Sequence, residues 1–158
     1  MSSSNPSVNS TKKRVLIVDD HPVFRHGISA LINAESDLVV CGEASSSPSA
    51  LEAMRTLHPD VALLDISLPG TNGIELIKLM KAEQPNLPLL MLSMHDESLY
   101  ALRALRAGAL GYVMKVEALT HVLAALRKVL KGEIYVSPEF SERLIFQAVQ
   151  SVEGGMGS

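Results

Sequence analysis

"VALLDISLPGTNG", residues 61–73, is the stretch whose reading decides the fold. Val61, Ala62, Leu63, Leu64 and Ile66 form a short apolar run, the pattern of a strand covered on both faces. Asp65 interrupts it. A buried carboxylate is costly unless it is paired, so Asp65 belongs at the strand's end, facing a site. Pro69 and Gly70 then supply a turn that leaves the backbone there open, and Gly73 starts a helix.

The same grammar runs outward in both directions. Further strands are expected over 14–20, 38–44, 88–94 and 111–115, and helices over 22–35, 47–58, 73–84, 97–108 and 117–132. In the first helix Phe24, Ile28, Leu31 and Ile32 share a face, with Pro22 in the first turn. Ser47 is the expected N-cap of the second, ahead of Pro48. The last helix carries Leu119, Val122, Leu123, Leu126 and Val129 on its apolar side. Strands alternating with helices predict an α/β fold: a five-stranded parallel sheet with helices on both faces. Outside this core, residues 1–13 read as a disordered Ser/Asn-rich leader. Residues 132–158 read as a linker helix and a flexible Gly-rich end, with Ser137-Pro138 opening a helix that lines up Leu144, Ile145, Ala148 and Val149.

Composition narrows the function. With 158 residues and 47% hydrophobic content the chain can build one sizeable core. A net charge of −3 disfavours nucleic acid or an anionic membrane as a direct partner. Cys41 is the single cysteine, which excludes an internal disulfide and a multi-cysteine metal site; its apolar surroundings predict an inert thiol. No apolar run reaches membrane-spanning length and the N-terminus lacks an apolar signal region, so a cytoplasmic protein is expected.

Parallel sheets bind ligands outside the carboxyl ends of their strands. Asp19-Asp20 ends the first strand, Glu43-Ala44 the second, Asp65 the third, Ser93 the fourth and Lys115 the fifth. Two carboxylates ~5 Å apart repel by roughly 3 kcal/mol at an effective dielectric of about 20, so a cation or Lys115 must offset them. Oxygen ligands with few protein contacts suit Mg2+, held by Asp20, Asp65 and the backbone carbonyl of Ser67. Asp65 would then be a carboxylate nucleophile that accepts a phosphoryl group. Lys115 would hold a phosphoryl oxygen as a point charge, and Ser93 could donate its hydroxyl to another. Each residue alone has a plainer reading. Asp19-Asp20 could favour the positive end of the next helix, Asp65 could cap a loop, and Lys115 could be a solvated strand end.

Beyond this reading, "VLIVDDHP" (15–22), "DISLPGTNGIEL" (65–76), "MLSMHDE" (91–97) and "AGALGYVMK" (107–115) resemble the receiver domain of two-component response regulators. The likeness spans residues 14–131, and its wording is similar to the NarL/LuxR-type transcription factors. It implies a flavodoxin-like sheet of order 2-1-3-4-5 and phosphorylation of Asp65 by a histidine kinase. It further implies Mg2+ at Asp19, Asp20 and Asp65, Ser93 as switch hydroxyl, Tyr112 as switch aromatic and Lys115 as the phosphate-contacting lysine. The chain would be a phosphoacceptor that assists its own phosphorylation and dephosphorylation, not an enzyme. Val116 stands where many receivers have proline after the lysine, so no cis peptide is expected there. The subfamily's helix-turn-helix domain, through which alone it would reach DNA, has no counterpart in this sequence. Output is therefore expected through a homodimer or an appended domain. Competing readings are a stand-alone receiver acting by protein contact and a Mg2+-dependent aspartate-nucleophile phosphatase. The phosphatase would want a second carboxylate two residues after Asp65, where Ser67 stands. Neither G-x-G-x-x-G nor G-x-x-x-x-G-K-[ST] occurs, which argues against a nucleotide-binding module.

Overall fold

The computed structural model describes residues 11–66, 68, 72–93 and 98–136, and, farther on, 141–142, 145–146 and 148–150. In chain order the elements are β1 (Lys13–Val18), α1 (Pro22–Asn33), β2 (Leu38–Ala44), α2 (Ser47–Leu57), β3 (Val61–Asp65), α3 (Gly73–Glu83), β4 (Leu89–Ser93), α4 (Ser98–Ala107), β5 (Gly111–Met114), a 3-10 turn (Lys115–Glu117) and α5 (Ala118–Leu130). The five strands pair in the order β2-β1-β3-β4-β5, all parallel.

Alternate strand residues feed two cores, one on each face of the sheet. Val15, Ile17, Val61, Leu63, Leu90, Leu92 and Val113 pack under α1 and α5, against Ile28, Ile32, Val122, Leu126 and Val129. Leu16, Val18, Ala62, Leu64, Leu89, Met91 and Tyr112 face α2, α3 and α4, meeting Met54, Ile77, Met80, Ala101 and Ala104. β3 lies between β1 and β4, and all five of its residues are buried, as its apolar run predicts. The register sets Val18 beside Leu64, Asp65 beside Leu92 and Ser93 beside Met114, so the strands end near one level. Between β1 and β2 the register shifts after Val15, skipping Cys41. That residue is half-buried, and burial pushes its thiol pKa up, which suits an inert role.

Several boundaries differ from expectation for physical reasons. α2 is capped by Ser46, not Ser47: Ser46 and Ser49 bond each other's backbone N–H in a reciprocal box. β5 stops at Met114, so Lys115 opens the 3-10 turn and does not end the strand. Leu119, expected in the core, is 64% exposed; the buried face of α5 runs through Ala118, Val122, Ala125, Leu126 and Val129. Small alanines there let the helix sit close to the sheet. After α5 the chain returns to β5, with Tyr135 N donating to Leu110 O (2.9 Å) and Tyr112 N to Tyr135 O (3.0 Å), which covers the sheet edge. Ile145, Ala148 and Val149 are helical and exposed. Ser67, Pro69, Gly70, Ser137, Pro138 and Leu144 lie outside the described residues.

Candidate functional site

The site is assembled just past the strand ends. Asp19 follows β1 and stays tied to the sheet, its N–H donating to Ala44 O at 2.9 Å. Asp65 is the last residue of β3, and the next N–H, of Ile66, donates to Leu92 O at 2.9 Å. Both aspartates are fully buried, Ser93 and Lys115 are nearly so, and Asp20 is half-buried. Lys115 Nζ reaches back from the 3-10 turn to lie 2.7 Å from Asp19 Oδ2 and 3.0 Å from Asp65 Oδ2. One ammonium therefore serves two buried carboxylates, and the ring of Phe24 lies 4.5 Å from it. Asp20 Oδ1 is buried without a hydrogen bond.

Neighbouring groups hold these parts in position. Arg25 Nη1 donates to the carbonyl of Asp19 (2.6 Å), and its Nε to Glu43 (2.7 Å), which also accepts from Ser29 Oγ (3.1 Å). The carboxylate of Glu43 is thus spent on α1 and does not join the cluster. At the far side of the Asp65 loop, Asn72 caps α3 by accepting from Ile74 N (2.8 Å) and from Tyr100 Oη (3.0 Å). Gly73 follows it because a Cβ there would lie 2.7 Å from the carbonyl oxygen of Ile66. Glycine is what lets α3 begin this close to the residue after Asp65.

Of the residues singled out in the sequence, Asp19, Asp20, Asp65 and Lys115 are brought together, and Ser93 ends the adjacent strand β4. Tyr112 is 1% exposed in the core beneath α4, which rules out a half-buried ring with a solvated hydroxyl. No cis peptide occurs among the described residues, as the Lys115-Val116 sequence led us to expect. Sequence reasoning missed His21. Its Nδ1 lies 3.1 Å from Asp19 Oδ1, 3.2 Å from Asp20 Oδ1, 3.5 Å from Asp65 Oδ2 and 2.8 Å from Lys115 Nζ. One ligand atom from each of Asp19, Asp20, His21 and Asp65 can be chosen so that all lie within 4.8 Å of one another. A pocket with several anionic oxygens, one of them lacking a hydrogen bond, fits a small hard cation.

The model of the response regulator receiver domain family matches residues 15–127. The chain belongs to that family. As a receiver it is 32% identical over 141 residues to the transcriptional regulatory protein DegU of Brevibacillus brevis, an alignment covering 89% of this chain and 60% of the relative. The solved structure of a LuxR-family two-component response regulator from Aurantimonas sp. SI85-9A1 superposes with a TM-score of 0.83 at 32% identity, covering 87% of this chain and 99% of that one. The isolated receiver domain of RcsB from Salmonella enterica serovar Typhimurium, solved with the phosphomimetic BeF3-, gives 0.76 at 31% identity, covering 84% and 98%. The relatives of this receiver are NarL/LuxR-type response regulators, and it spans 60% and 64% of the length of two curated ones, DegU and the response regulator GacA of Pseudomonas viridiflava.

Proposed function

We propose that this receiver accepts a phosphoryl group on Asp65 from the phosphohistidine of a histidine kinase and passes the change to a helix-turn-helix domain that regulates transcription. The observation that carries the reading is Asp65 itself. It is a fully buried carboxylate at the end of a strand between two others, 3.0 Å from Lys115 Nζ and grouped with Asp19 and Asp20. An Asp65 carboxylate oxygen forms the new O–P bond as the P–N bond to the donor imidazole breaks, and that nitrogen keeps the bonding pair. Lys115 Nζ, a compact three-donor charge, donates to one phosphoryl oxygen, and the Ser93 hydroxyl to another. Asp19, Asp20 and Asp65, with the backbone carbonyl of Ser67, would hold Mg2+, which supplies neutralisation of the phosphoryl charge. The receiver is then a phosphoacceptor that assists its own phosphorylation and dephosphorylation.

Ser93 and Tyr112 form the switch in this reading, and self-association carries its output. Val23 on α1, Val116 in the 3-10 turn and Leu119 on α5 are exposed apolar residues around Lys115. They favour the α1–α5 face over the face of α4 for a homodimer. The receiver occupies 14–131, with 1–13 as leader and 132–158 as the connection to an output domain. No described helix is long and apolar enough to cross a membrane, and work with a kinase's phosphohistidine assigns the chain to the cytoplasm. The test is intact mass after incubation with a small phosphodonor and Mg2+. One phosphoryl group should be gained, and none by Asp65→Asn. An adduct that survives this substitution and maps elsewhere would overturn the assignment.

A further inference from the structure

We infer that residues 134–136 are a latch on the edge of β5, and that its docking is coupled through Tyr112 to phosphorylation at Asp65. This rests on the phosphoacceptor reading above and names an element that carries its output. Without the segment, β5 would be a bare edge, its outward backbone groups open to solvent or to another strand. Tyr135 covers it through a parallel bridge to Gly111. Its N–H donates to Leu110 O at 2.9 Å, and its carbonyl accepts from Tyr112 N at 3.0 Å. The backbone of Tyr112 is therefore held by the very stretch that begins the connection out of the domain.

The side chains continue the contact. With Tyr135 opposite Gly111, parallel register sets Val136 beside Tyr112 on one face of the sheet. Val136 packs against the core that holds Tyr112, whereas Tyr135 packs against the core under α1 and α5. These two half-buried residues straddle the sheet edge, and Val136 flanks Tyr112 on the side away from β4. The latch is slight enough to open. Tyr135 makes two backbone bonds to β5, Ile134 is 59% exposed, and Gly132, at φ 82°, is a hinge between the latch and α5. Opening takes Tyr135 O from the Tyr112 N–H and Val136 from beside the ring. A closed latch and an inward ring therefore favour each other. If phosphorylation favours the inward ring it also closes the latch, and by linkage a closed latch favours the phosphorylated state equally.

The test uses the full chain with beryllium fluoride and Mg2+, a reversible phosphate mimic. Amide hydrogen exchange at Tyr112 and Tyr135 should slow at least about 5-fold when the mimic binds. Tyr135→Pro removes the donor to Leu110 O, and Val136→Ala keeps the backbone bonds but removes the flanking side chain. In both variants exchange at Tyr112 should be faster in the free chain, and the mimic should bind more weakly, by about 5-fold in Tyr135→Pro. Exchange at Tyr112 and Tyr135 that ignores the mimic, or a variant that binds it as tightly as the unaltered chain, would overturn the coupling. An unaltered chain that neither binds the mimic nor gains a phosphoryl group by intact mass would overturn the phosphoacceptor reading and the coupling with it.

Discussion

Asp19 and Asp65 lean on a single ammonium, and Asp20 adds a third negative charge beside them. Such an arrangement serves chemistry at the expense of stability, and two substitutions expose it. Asp65→Asn removes one like charge while Asp19 keeps Lys115. We expect it to abolish phosphorylation and yet raise the melting temperature by about 3 °C, equivalent to roughly 1 kcal/mol. Lys115→Ala does the reverse. It takes the ammonium away from two buried carboxylates and should cost about 3–5 kcal/mol. Mg2+ should restore part of that loss, because an ion that binds only the folded state stabilises it by mass action. Thermal unfolding with and without Mg2+ checks both; a shift with Mg2+ no larger in Lys115→Ala than in the unaltered chain would contradict this charge balance. These residues were legible because each is polar and stands where an apolar run ends. His21 was not, since an exposed polar residue before a proline has an ordinary reading as a turn. Only the fold shows its ring turned back toward three strand-end carboxylates.

Elements differ in how firmly they hold the site. α3 begins hard against Ile66, where a Cβ on Gly73 would meet backbone atoms at 2.7 and 2.8 Å. Gly73→Ala must push the helix start away, so it should lower stability by about 1–3 kcal/mol and slow phosphorylation of Asp65, the residue before Ile66. Gly27, inside α1 with nothing within 4 Å of an added Cβ, gives the contrast: Gly27→Ala should stabilise by roughly 0.5–1 kcal/mol. Urea unfolding of both variants separates backbone crowding from helix propensity. α5 is tied to the loop after α1 by Arg127, which donates to both oxygens of Asp37 (2.9 Å each) and to Glu35 (2.6 Å). The guanidinium's hydrogen bond holds the Asp37 carboxyl below its ordinary 3.8. Its contribution is therefore complete above that value and lost as pH falls through the lower folded one. These groups are exposed, so Arg127→Ala should cost only about 1 kcal/mol at neutral pH, and the gap from the unaltered chain should close in acid. Periodicity made all five strands and helices readable. It could not tell Ser46 from Ser47 as the cap, because the reciprocal bonds with Ser49 decide that, nor foresee that the 3-10 turn after β5 leaves Leu119 outside.

Across the whole molecule, the question is how an event at Asp65 reaches a surface that a partner can read. Ser93 and Tyr112 sit on neighbouring strands, and Tyr112 pairs with Met91 two residues before Ser93. Tyr112 is buried among Ala101 and Ala104 of α4. A phosphoryl group can therefore act only by weighting this packing against its alternative, through contacts it makes in one and not the other. The Ser93 hydroxyl is the contact that would distinguish them. If it turns to the phosphoryl oxygens, the packing with the Tyr112 ring inward is the one that contact would favour. Coupling of this kind ordinarily amounts to about 1–3 kcal/mol, or roughly 5–150-fold in an equilibrium constant. Sedimentation of the chain with and without a phosphate mimic should then show the dimer dissociation constant falling at least about 5-fold. Ser93→Ala should still take a phosphoryl group on Asp65 by intact mass but leave dimerisation unmoved. Tyr112→Phe, which keeps the ring, should respond nearly as the unaltered chain does, while Tyr112→Ala should dimerise to the same extent in both states. If Ser93→Ala dimerises on phosphorylation as readily as the unaltered chain, the signal reaches the exposed apolar residues of α1 and α5 around Lys115 by a route that bypasses Ser93.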